Sequence, residues 1–348
     1  MKTVSAFLVL ALGAAILVAA DASKIPNMPA AVSGNAVASL KGGLELFSMM
    51  GVGPRKTWDD ITNQVYVLRL SSGKWSDGRS VPGVAGRLDA SAAGVRGKVF
   101  LFGGFVVDAQ GNEITVSDVN AYVPENQRWY RAADIPVAVD SAMIGVNRDR
   151  YIYLVGGRSK SGPVNNVQVY DADKDTWSDA TPLPGTPVFG HAGGLTDDTI
   201  VYVDGAMKNP ASGAPPYVAS EECWLGKIDH KNPDKIEWSK LPPHPGPARF
   251  GIAGAAAERD RKIFFSGGTA VPHDFKGVSY DGHSAEMSTV TFAFNLHSKQ
   301  WETITDDTYD PRMDGRGILD TPLGLVVLGG MAKNQAVTAR VTVVPKKR

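Results

Sequence analysis

The chain has 348 residues, in which 36 lysine and arginine residues balance 36 aspartate and glutamate residues. Because this balance leaves no overall electrostatic field to attract a polyanion, we exclude nucleic acid as a partner. Cys223 is the only cysteine, so no disulfide can form within the chain and packing alone must hold the fold.

The first element in the chain is an apolar run from Val4 to Val18, which follows a short charged head and is too short to span a bilayer. Small residues come after it, immediately before Asp21, as they do at a cleavage site. The pattern predicts a secretory signal peptide at residues 1–20 and a single domain at residues 21–348. The mature protein is expected to be secreted or periplasmic, without insertion into a membrane.

Glycine pairs and tryptophans mark a repeat along the rest of the chain. An apolar, strand-like run precedes each glycine pair, at Gly103-Gly104, Gly156-Gly157, Gly267-Gly268 and Gly329-Gly330. Tryptophans recur at intervals of 54, 48, 61 and 63 residues, at Trp75, Trp129, Trp177, Trp238 and Trp301. A repeat of about 50 residues built from short strands predicts a β-propeller, because such sheets bury their faces only against their neighbours in a closed ring.

Two of the six repeats depart from the glycine pair. The fourth has Asp204-Gly205 in its place, and the first has Gly51-Val-Gly53 as its expected equivalent. The glycine pair, the aromatic strand and the tryptophan together resemble the kelch repeat, over nearly all of the predicted mature chain. The resemblance implies an all-β fold, a six-bladed kelch-type β-propeller whose blades are four-stranded antiparallel sheets.

The ends of the chain indicate how the ring closes. The last repeat stops after the strand-like run from Val341 to Val344 and contains no tryptophan strand. The segment from Lys24 to Pro29 resembles the proline-containing exit of such a strand. We therefore predict that the N-terminus supplies the outer strand of the last blade, which removes the open edge of the ring.

In kelch propellers, the loops around one mouth of the central channel usually carry function, because a rigid scaffold presents them. The longest such loops here are Phe105–Val116, Ala206–Ser220 and Thr269–Glu286. Arginines recur where a blade begins, at Arg87, Arg249, Arg312 and Arg316. Related propellers hold carboxylates with arginines at this position, so these four are the predicted ligand-binding residues. The competing interpretation is that they pair with acids of the neighbouring blade and staple the ring.

Four side chains are candidate proton-transfer groups: His191, His273, Glu221 and Glu222. His273 belongs to a loop dense in titratable groups, which fits acid–base chemistry, metal binding or a solvated loop. His191 is expected to face the channel at the start of the fourth blade, unless it is a packed histidine.

Asp171-Ala-Asp173-Lys-Asp175 lacks the glycine and glutamate of a calcium-binding EF-hand loop, and Cys223 is interpreted as a buried thiol. We therefore predict neither a metal nor a cofactor.

The length, the leader, the six repeats and the closing N-terminal strand resemble the bacterial N-acetylneuraminate epimerase family, whose members equilibrate sialic acid anomers. The resemblance implies an acid–base pair and an arginine for the sugar carboxylate. That family carries its catalytic glutamate in a Gly-Glu-Ala-Lys motif, where this chain has Gly205-Ala206-Met207-Lys208. Glu221 and Glu222, at the far end of the same loop, are the candidate replacements. Galactose oxidase, another exported kelch enzyme, is excluded because Cys223 lies beside Trp224 in a strand-like run.

Two functional hypotheses follow from these residues. The first is an exported propeller that recognises an acidic small molecule, a sugar or an acidic peptide at its loop-rich face through the four arginines. The alternative is an isomerase or mutarotase that acts on a sialic-acid-like sugar or another exported metabolite, with Glu221, Glu222, His191 or His273 moving protons. The residues alone leave open whether the chain is an enzyme.

Overall fold

The computed structural model describes residues 25–211, 215–305, 312–344 and 346, so the predicted signal peptide at residues 1–20 lies outside the described part. Six main antiparallel sheets follow one another along this part of the chain, five with four strands and one with three. The first strand of each sheet packs against the first strand of the next, and the last sheet packs against the first. This closed ring of six blades confirms the predicted all-β propeller.

The first three blades are built from consecutive strands of the chain. Blade 1 contains β1 (Ala36–Leu40), β2 (Glu45–Met49), β3 (Val65–Arg69) and β4 (Lys74–Gly78). Blade 2 contains β5 (Ser91–Val95), β6 (Lys98–Phe102), a projecting hairpin of β7 (Phe105–Val107) and β8 (Glu113–Thr115), β9 (Val119–Val123) and β10 (Arg128–Ala132). Blade 3 contains β11 (Met143–Asn147), β12 (Tyr151–Val155), a projecting hairpin of β13 (Arg158–Ser159) and β14 (Gly162–Pro163), β15 (Val167–Asp171) and β16 (Thr176–Ala180).

The last three blades follow the same plan. Blade 4 contains β17 (Ala192–Thr196), β18 (Thr199–Val203), a projecting hairpin of β19 (Ala206–Lys208) and β20 (Tyr217–Ala219), β21 (Cys223–Ile228) and β22 (Ile236–Lys240). Blade 5 contains β23 (Ala253–Ala257), β24 (Lys262–Ser266), β25 (Thr291–Asn295) and β26 (Gln300–Thr305). Blade 6 contains β27 (Ile318–Thr321), β28 (Gly324–Leu328), a projecting hairpin of β29 (Met331–Ala332) and β30 (Ala336–Val337), and β31 (Val341–Val344).

Helical structure is almost absent from the described residues. Two 3₁₀ turns, Trp58–Asp60 and Lys333–Gln335, are the helical segments found there. Within the same residues, no helix has the length and hydropathy needed to cross a bilayer.

Burial explains why these segments form a propeller. The second strand of a blade is apolar on both faces because neighbouring blades cover both, as in β12 with the sequence Tyr-Ile-Tyr-Leu-Val. The first strands converge near the central axis, where space is short, and consist largely of small residues, as in β23 with the sequence Ala-Gly-Ala-Ala-Ala. A Cβ at Gly194 in β17 would lie 2.7 Å from the backbone nitrogen of Ala256 in the next blade. The small residues therefore set how closely the blades approach one another.

Each of the five repeat tryptophans joins its blade to the segment that follows the outer strand of the preceding blade. The indole Nε1 donates to a backbone carbonyl oxygen there at 2.6–3.2 Å, from Trp129 to Arg79, Trp177 to Ala133, Trp238 to Thr181 and Trp301 to Pro242. Trp75 of blade 1 donates in the same way to Pro26, at 3.0 Å. Pro26 therefore holds the position that follows the outer strand in the other blades.

The N-terminal segment closes the ring against blade 6. The backbone N–H of Met28 donates to the carbonyl oxygen of Ala339 at 2.7 Å, and that of Val32 donates to Thr338 at 3.3 Å. These contacts confirm closure by the N-terminus, although residues 25–29 are not part of a regular strand. Lys24, the first residue of the predicted closing segment, lies outside the described part.

The glycine pairs lie where the second strand of a blade ends and the chain turns with positive φ. In blade 1 the pair is Met50-Gly51, with φ of 60° and 103°, which corrects the predicted Gly51-Val-Gly53. In blade 4 it is Asp204-Gly205, at 63° and 92°, as predicted. The second position needs glycine because a Cβ at Gly205 would lie 2.9 Å from the carbonyl oxygen of Phe189. The first position accepts a side chain, so a search for two glycines misaligned the first repeat.

Replacing Met28 with alanine is expected to lower the free energy of unfolding by about 2 kcal/mol, because the methionine is buried where the two ends of the ring meet. It belongs to one apolar cluster with Leu46 of blade 1 and Leu328 of blade 6. Denaturant unfolding followed by tryptophan fluorescence measures the change. Leu44→Ala, at an exposed turn, is the control and should cost less than about 0.5 kcal/mol. Equal losses in both variants would contradict closure by this segment.

Candidate ligand-binding site

Six residues form a ring around one mouth of the central channel. Each lies just before the first strand of a blade and has a φ between 51° and 61°: Gly34, Asp89, Ser141, Gly190, Gly251 and Asp314. Four backbone hydrogen bonds of 2.9–3.0 Å pass around this mouth ring, in which Asp89, Ser141, Gly190 and Gly251 each donate to the preceding member. Three members carry polar side chains in a backbone conformation that glycine adopts most easily.

Three of the four predicted arginine anchors do not reach the channel. They are 1–3% exposed, and each donates to the carbonyl oxygen of the first glycine of its own blade, Arg87 to Gly103, Arg249 to Gly267 and Arg312 to Gly329. Burial lowers the pKa of Arg87 to about 10, although Asp118 opposes the shift. These guanidinium groups form hydrogen bonds that link segments of one blade to each other. All three are thus buried away from the mouth cavity and the cavity below it, whereas the sequence predicted them as ligand anchors.

Arg316 is the exception, because it lines the channel. Its Nε donates to Oδ1 of Asp89 at 2.7 Å and its Nη2 donates to Oδ2, so a bidentate pair joins blade 6 to the start of blade 2. Its Nη1 has no hydrogen-bond partner within the described part of the chain. Asp314, with a φ of 51°, lies between Arg312 and Arg316. This left-handed residue breaks the strand alternation from which we predicted that both arginines share one face.

A second charged group surrounds Arg158, which directly follows the glycine pair of blade 3. Its Nε lies 3.2 Å from both carboxylate oxygens of Asp140, and its Nη1 lies 2.6 Å from Oε2 of Glu113. The hydroxyl groups of Ser141 and Thr115 donate to Asp140 at 2.9 and 3.0 Å. Burial raises the pKa of Asp140 to about 6, although Arg158 opposes the shift. The carboxylate is therefore ionised at pH 7.5 and titrates below neutrality.

His273 and Asp314 form a buried pair beside Arg316. The Nδ1 of His273 lies 2.9 Å from the carbonyl oxygen of Asp274, which can only accept, so Nδ1 carries a proton. The Nε2 lies 3.8 Å from Oδ1 of Asp314 and makes no hydrogen bond to any residue that the structure describes. Burial raises the pKa of Asp314, while His273 and Arg316 oppose the shift. A buried nitrogen without a hydrogen bond thus borders the mouth cavity.

The long loops predicted from the sequence meet above the mouth ring. Aromatic rings from different loops touch edge to face, with centroids 6.4 Å apart for Phe105 and Phe275 and 5.3 Å apart for Tyr217 and Tyr280. Lys56 of blade 1 donates to the carbonyl oxygen of Lys276 at 2.7 Å and so holds the Thr269–Glu286 loop across the mouth. The free space is about 20 Å³ at the mouth and about 50 Å³ below it, which is room for water and not for a sugar.

His191 lines the channel below the mouth ring, in the cavity that Asp89, Ser141 and Arg316 also border. Both of its ring nitrogens are buried and lack hydrogen-bond partners among the described residues. Burial lowers the pKa of His191 to about 4, so the ring is neutral at pH 7. The ring therefore borders the cavity below the mouth ring as a neutral group whose nitrogens are shielded from solvent.

The two glutamates considered as catalytic replacements lie elsewhere. Glu221 is exposed, whereas Glu222 accepts from the backbone N–H of Thr186 at 3.0 Å and lies 3.2 Å from Nζ of Lys240. Burial alone would raise the pKa of Glu222, but these hydrogen bonds lower it. Neither glutamate borders the mouth cavity or the cavity below it. The candidate proton-transfer groups are thus reduced to the two histidines.

Cys223 is buried, and burial raises the pKa of its thiol to about 12, as expected for an unreactive thiol.

The mouth also contains charged residues that the sequence analysis did not identify. Asp89 and Asp314 follow Arg87 and Arg312 by two residues, a shared spacing that could have revealed them. Arg158 stands directly after its glycine pair, but Asp140 and Glu113 carry no comparable sequence signal. Four carboxylates border the mouth cavity, against two guanidinium groups: Asp89, Glu113, Asp274 and Asp314 against Arg158 and Arg316. The mouth is therefore net negative when His273 is neutral.

A wider opening, of about 790 Å³, lies at the other end of the channel. Turns between first and second strands line it, and they carry charges of both signs. Lys346 lies 2.6 Å from Asp260 and 2.5 Å from Asp320, so these charges are already paired. None of the predicted site residues borders this opening, and we place the candidate site at the mouth ring.

Comparison with known proteins identifies the same repeat. The sequence profile of the KLHDC2/KLHL20/DRC7 Kelch-repeats domain matches residues 45–268. The solved structure of YjhT aligns with 93% of this chain and 98% of that chain, with a TM-score of 0.75 and 18% sequence identity. At this level of identity the match shows a shared fold.

Relatives with curated names include two epimerases and a fungal kelch protein. N-acetylneuraminate epimerase 1 of Escherichia coli O6:H1 is 26% identical over 239 residues, which are 58% of this chain and 60% of that protein. N-acetylneuraminate epimerase of Salmonella arizonae is 24% identical over 365 residues, covering 93% of this chain and 88% of that protein. Kelch-like protein terF of Aspergillus terreus is 26% identical and covers 77% of this chain. The match spans 55% of the Aspergillus protein, so it and the Escherichia coli match reach less than two thirds of those relatives.

Proposed function

The chain belongs to the kelch-repeat family of β-propellers, and on that premise we propose that it binds a sugar at the mouth ring. The observation that carries the proposal is the convergence of the Arg316–Asp89 pair, the Arg158–Asp140 pair and the free Nε2 of His273 at one opening. Carboxylates accept hydrogen bonds from sugar hydroxyls, and guanidinium groups donate to ring and carbonyl oxygens. Aromatic side chains beside these groups suit the apolar face of a sugar.

The charge of the mouth favours a sugar over the acidic small molecule and the acidic peptide expected from the sequence. Those two ligands were expected because four arginines were placed at the mouth, and only Arg316 lies there. The carboxylate excess repels an anion at neutral pH but supplies acceptors for hydroxyl groups. A sugar that carries one carboxylate can still bind through Nη1 of Arg316.

Binding requires the Thr269–Glu286 loop to move, because the closed mouth holds only water. Two hydrogen bonds tie the loop to blades 1 and 6, Lys56 to Lys276 and Gln335 to Ala285, and the two aromatic contacts tie it to the loops of blades 2 and 4. A ligand that displaces this loop gains the polar groups beneath it and shifts the population towards the open form.

The test is a panel of neutral hexoses, uronic acids and N-acetylneuraminate, measured by thermal shift and titration calorimetry. We expect at least one sugar to bind, and Asp89→Asn and Asp314→Asn to weaken that binding at least 10-fold. Asp197→Asn is the matched control, since Asp197 pairs with Arg261 in an exposed turn. The proposal fails when no sugar binds, or when the mouth variants bind as tightly as the control.

A second candidate function is mutarotation of the bound sugar. The two epimerase relatives and the His273–Asp314 pair favour it, since ring opening needs one group to donate a proton and another to accept one. Asp314, whose pKa burial raises, would serve as the acid and His273 as the base. In this second candidate, the two groups take the place of the glutamate of the Gly-Glu-Ala-Lys motif, where this chain has Ala206.

Anomer exchange of fresh α-N-acetylneuraminate, followed by NMR, separates binding from catalysis. An enzyme is expected to accelerate exchange above the buffer rate, and His273→Gln should abolish the acceleration while the protein stays folded. His297→Gln, at an exposed histidine, is the control. Sugar binding with exchange at the buffer rate would retain the binding proposal and remove the mutarotase.

The pH dependence of binding should differ in sign between charged and neutral sugars. When the pH falls from 7.5 to 5.5, Asp140, with a pKa of about 6, becomes largely protonated and the mouth less negative. We expect the affinity for a uronic acid to rise by about 3-fold to 10-fold and the affinity for a neutral hexose to stay level or fall. Calorimetry at both pH values measures this, and Asp140→Asn should flatten the uronic acid profile. A uronic acid that binds more weakly at pH 5.5 would contradict this reasoning.

We also propose that the protein is exported. The predicted signal peptide at residues 1–20 would direct the propeller to the periplasm or the cell exterior, where free sugars are available ligands. Fractionation of cells that express the full chain, with N-terminal sequencing of the product, tests both the compartment and the cleavage site.

A further inference from the structure

Blade 4 differs from the other blades at the first position of its glycine pair. In blade 2, a Cβ at Gly103 would lie 3.0 Å from Ile135, and in blade 3 one at Gly156 would lie 3.0 Å from Cε1 of His191 and 3.3 Å from Leu183. Side chains thus pack directly against the glycine in those blades. In blade 4 the same place holds two polar groups, because Asp204 replaces the glycine and the ring of His244 lies over it.

The hydrogen bonds of His244 leave a place for a cation. Its Nδ1 lies 2.9 Å from the carbonyl oxygen of Pro245, which can only accept, so Nδ1 carries a proton. Its Nε2 lies 2.9 and 2.8 Å from the two carboxylate oxygens of Asp204. A neutral ring would then point a lone pair at an anion, so a positive centre is required between them, either a proton on Nε2 or a metal ion.

A third ligand atom completes the cluster. The sulfur of Cys223 joins the Asp204 oxygen and the His244 nitrogen, and the three atoms all lie within 4.8 Å of one another. All three residues are buried, with Asp204 0%, Cys223 1% and His244 7% exposed. The backbone N–H of Arg249 donates to Asp204 at 3.0 Å and orients the carboxylate. The three potential ligand atoms therefore lie together in one buried cluster.

We propose that Asp204, Cys223 and His244 bind one zinc ion. Thiolate, imidazole and carboxylate are the ligands that zinc takes, and bonds of about 2.0–2.3 Å put ligand atoms roughly 3–4 Å apart, within small adjustments of this cluster. One thiolate and one carboxylate also balance the charge of the ion. The site borders neither the mouth cavity nor the cavity below it, and it ties the segment between blades 4 and 5 to β21. The sequence analysis missed it because spacings of 19 and 21 residues match no metal motif.

Cobalt substitution tests the site directly. The full chain is refolded with Co²⁺, so that burial does not prevent loading, and is then freed of excess metal. We expect about one cobalt ion per chain and a thiolate-to-cobalt absorption band in the near ultraviolet. Cys223→Ser should lose that band, while His297→Gln, at an exposed histidine, should keep it. Refolded wild-type protein without stoichiometric cobalt, or an identical spectrum in Cys223→Ser, would overturn the proposal.

A stability measurement distinguishes the metal from a proton between Asp204 and His244. Zinc is expected to raise the melting temperature of the wild-type protein relative to a chelator-treated sample, because a ligand that binds only the folded state stabilises it. His244→Gln should lower that zinc-dependent increase to the level of buffer alone. A melting temperature that does not depend on zinc in the wild-type protein would assign the cluster to a buried ion pair and reject the metal site.

Discussion

Replacing Arg87 with methionine is expected to lower the free energy of unfolding by about 3–5 kcal/mol and to leave sugar binding unchanged. The methionine fills a similar volume but cannot donate to the three acceptors that the guanidinium group satisfies, which are the carbonyl oxygens of Gly103 and Asp118 and Oδ1 of Asn120. The bonds to Gly103 and Asn120 are buried and the bond to Asp118 is partly buried, so water replaces the lost donors poorly. An unpaired buried acceptor costs about 1–3 kcal/mol, so the loss should rank among the largest for a single substitution.

Denaturant unfolding of Arg87→Met, compared with the wild-type protein, measures the effect. Arg128→Met is the matched control, because Arg128 is exposed in the outer strand β10. It should change the stability by less than about 0.5 kcal/mol. Sugar titration of folded Arg87→Met at low temperature completes the experiment. A stable Arg87→Met that no longer binds sugar would return Arg87 to the ligand site and contradict the structure.

Arg316→Gln is expected to weaken sugar binding by about 100-fold, with a smaller effect on stability. The substitution removes the bidentate donor to Asp89 and the Nη1 group available to a ligand. Nη1 is the Arg316 donor available to a ligand, and the loss of one charge-assisted hydrogen bond to it, at about 1.5–3 kcal/mol, supports this magnitude. Asp89 then shares the single hydroxyl proton of Ser141 with Asp140, at 3.2 and 2.9 Å, so the substitution also costs some stability.

Titration calorimetry with the best sugar of the panel measures the change in affinity. Arg316→Lys retains the positive charge but lacks the planar pair of donors, so it should recover only part of the affinity. Arg261→Gln, which breaks an exposed pair with Asp197, is the control and should bind as the wild-type protein does. Equal affinities for Arg316→Gln and this control would exclude the mouth ring as the binding site.

The two arginine variants together test the assignment of roles at the start of the blades. Arg87 and Arg316 look alike in the sequence, since each stands near the beginning of a first strand. We expect different outcomes, a loss of stability without a loss of binding for Arg87 and mainly a loss of binding for Arg316. Sequence analysis grouped them because it could use only their position in the repeat.

The repeat, the fold class and the closure of the ring could be derived from the sequence because they depend on local properties. A residue with positive φ at the end of a strand favours glycine, so the glycine pairs mark that place in four blades. Even there, Met50 in blade 1 occupies a left-handed position that glycine holds in four other blades, and the repeat was misaligned. The proline-containing N-terminus was recognised for the same local reason. Trp75 donates a hydrogen bond to Pro26, as the other repeat tryptophans donate to the segment after the preceding blade.

The candidate site depended on the tertiary structure, because its partners are far apart in the chain and its backbone is irregular. Arg316 and Asp89 are separated by 227 residues, and no local pattern predicts that pair. The left-handed residues of the mouth ring also break the alternation of strand side chains, so a face inferred from residue spacing is lost there. Periodic local conformation therefore determined the propeller in advance, whereas the packing of six blades around one axis decided which charges meet at its mouth.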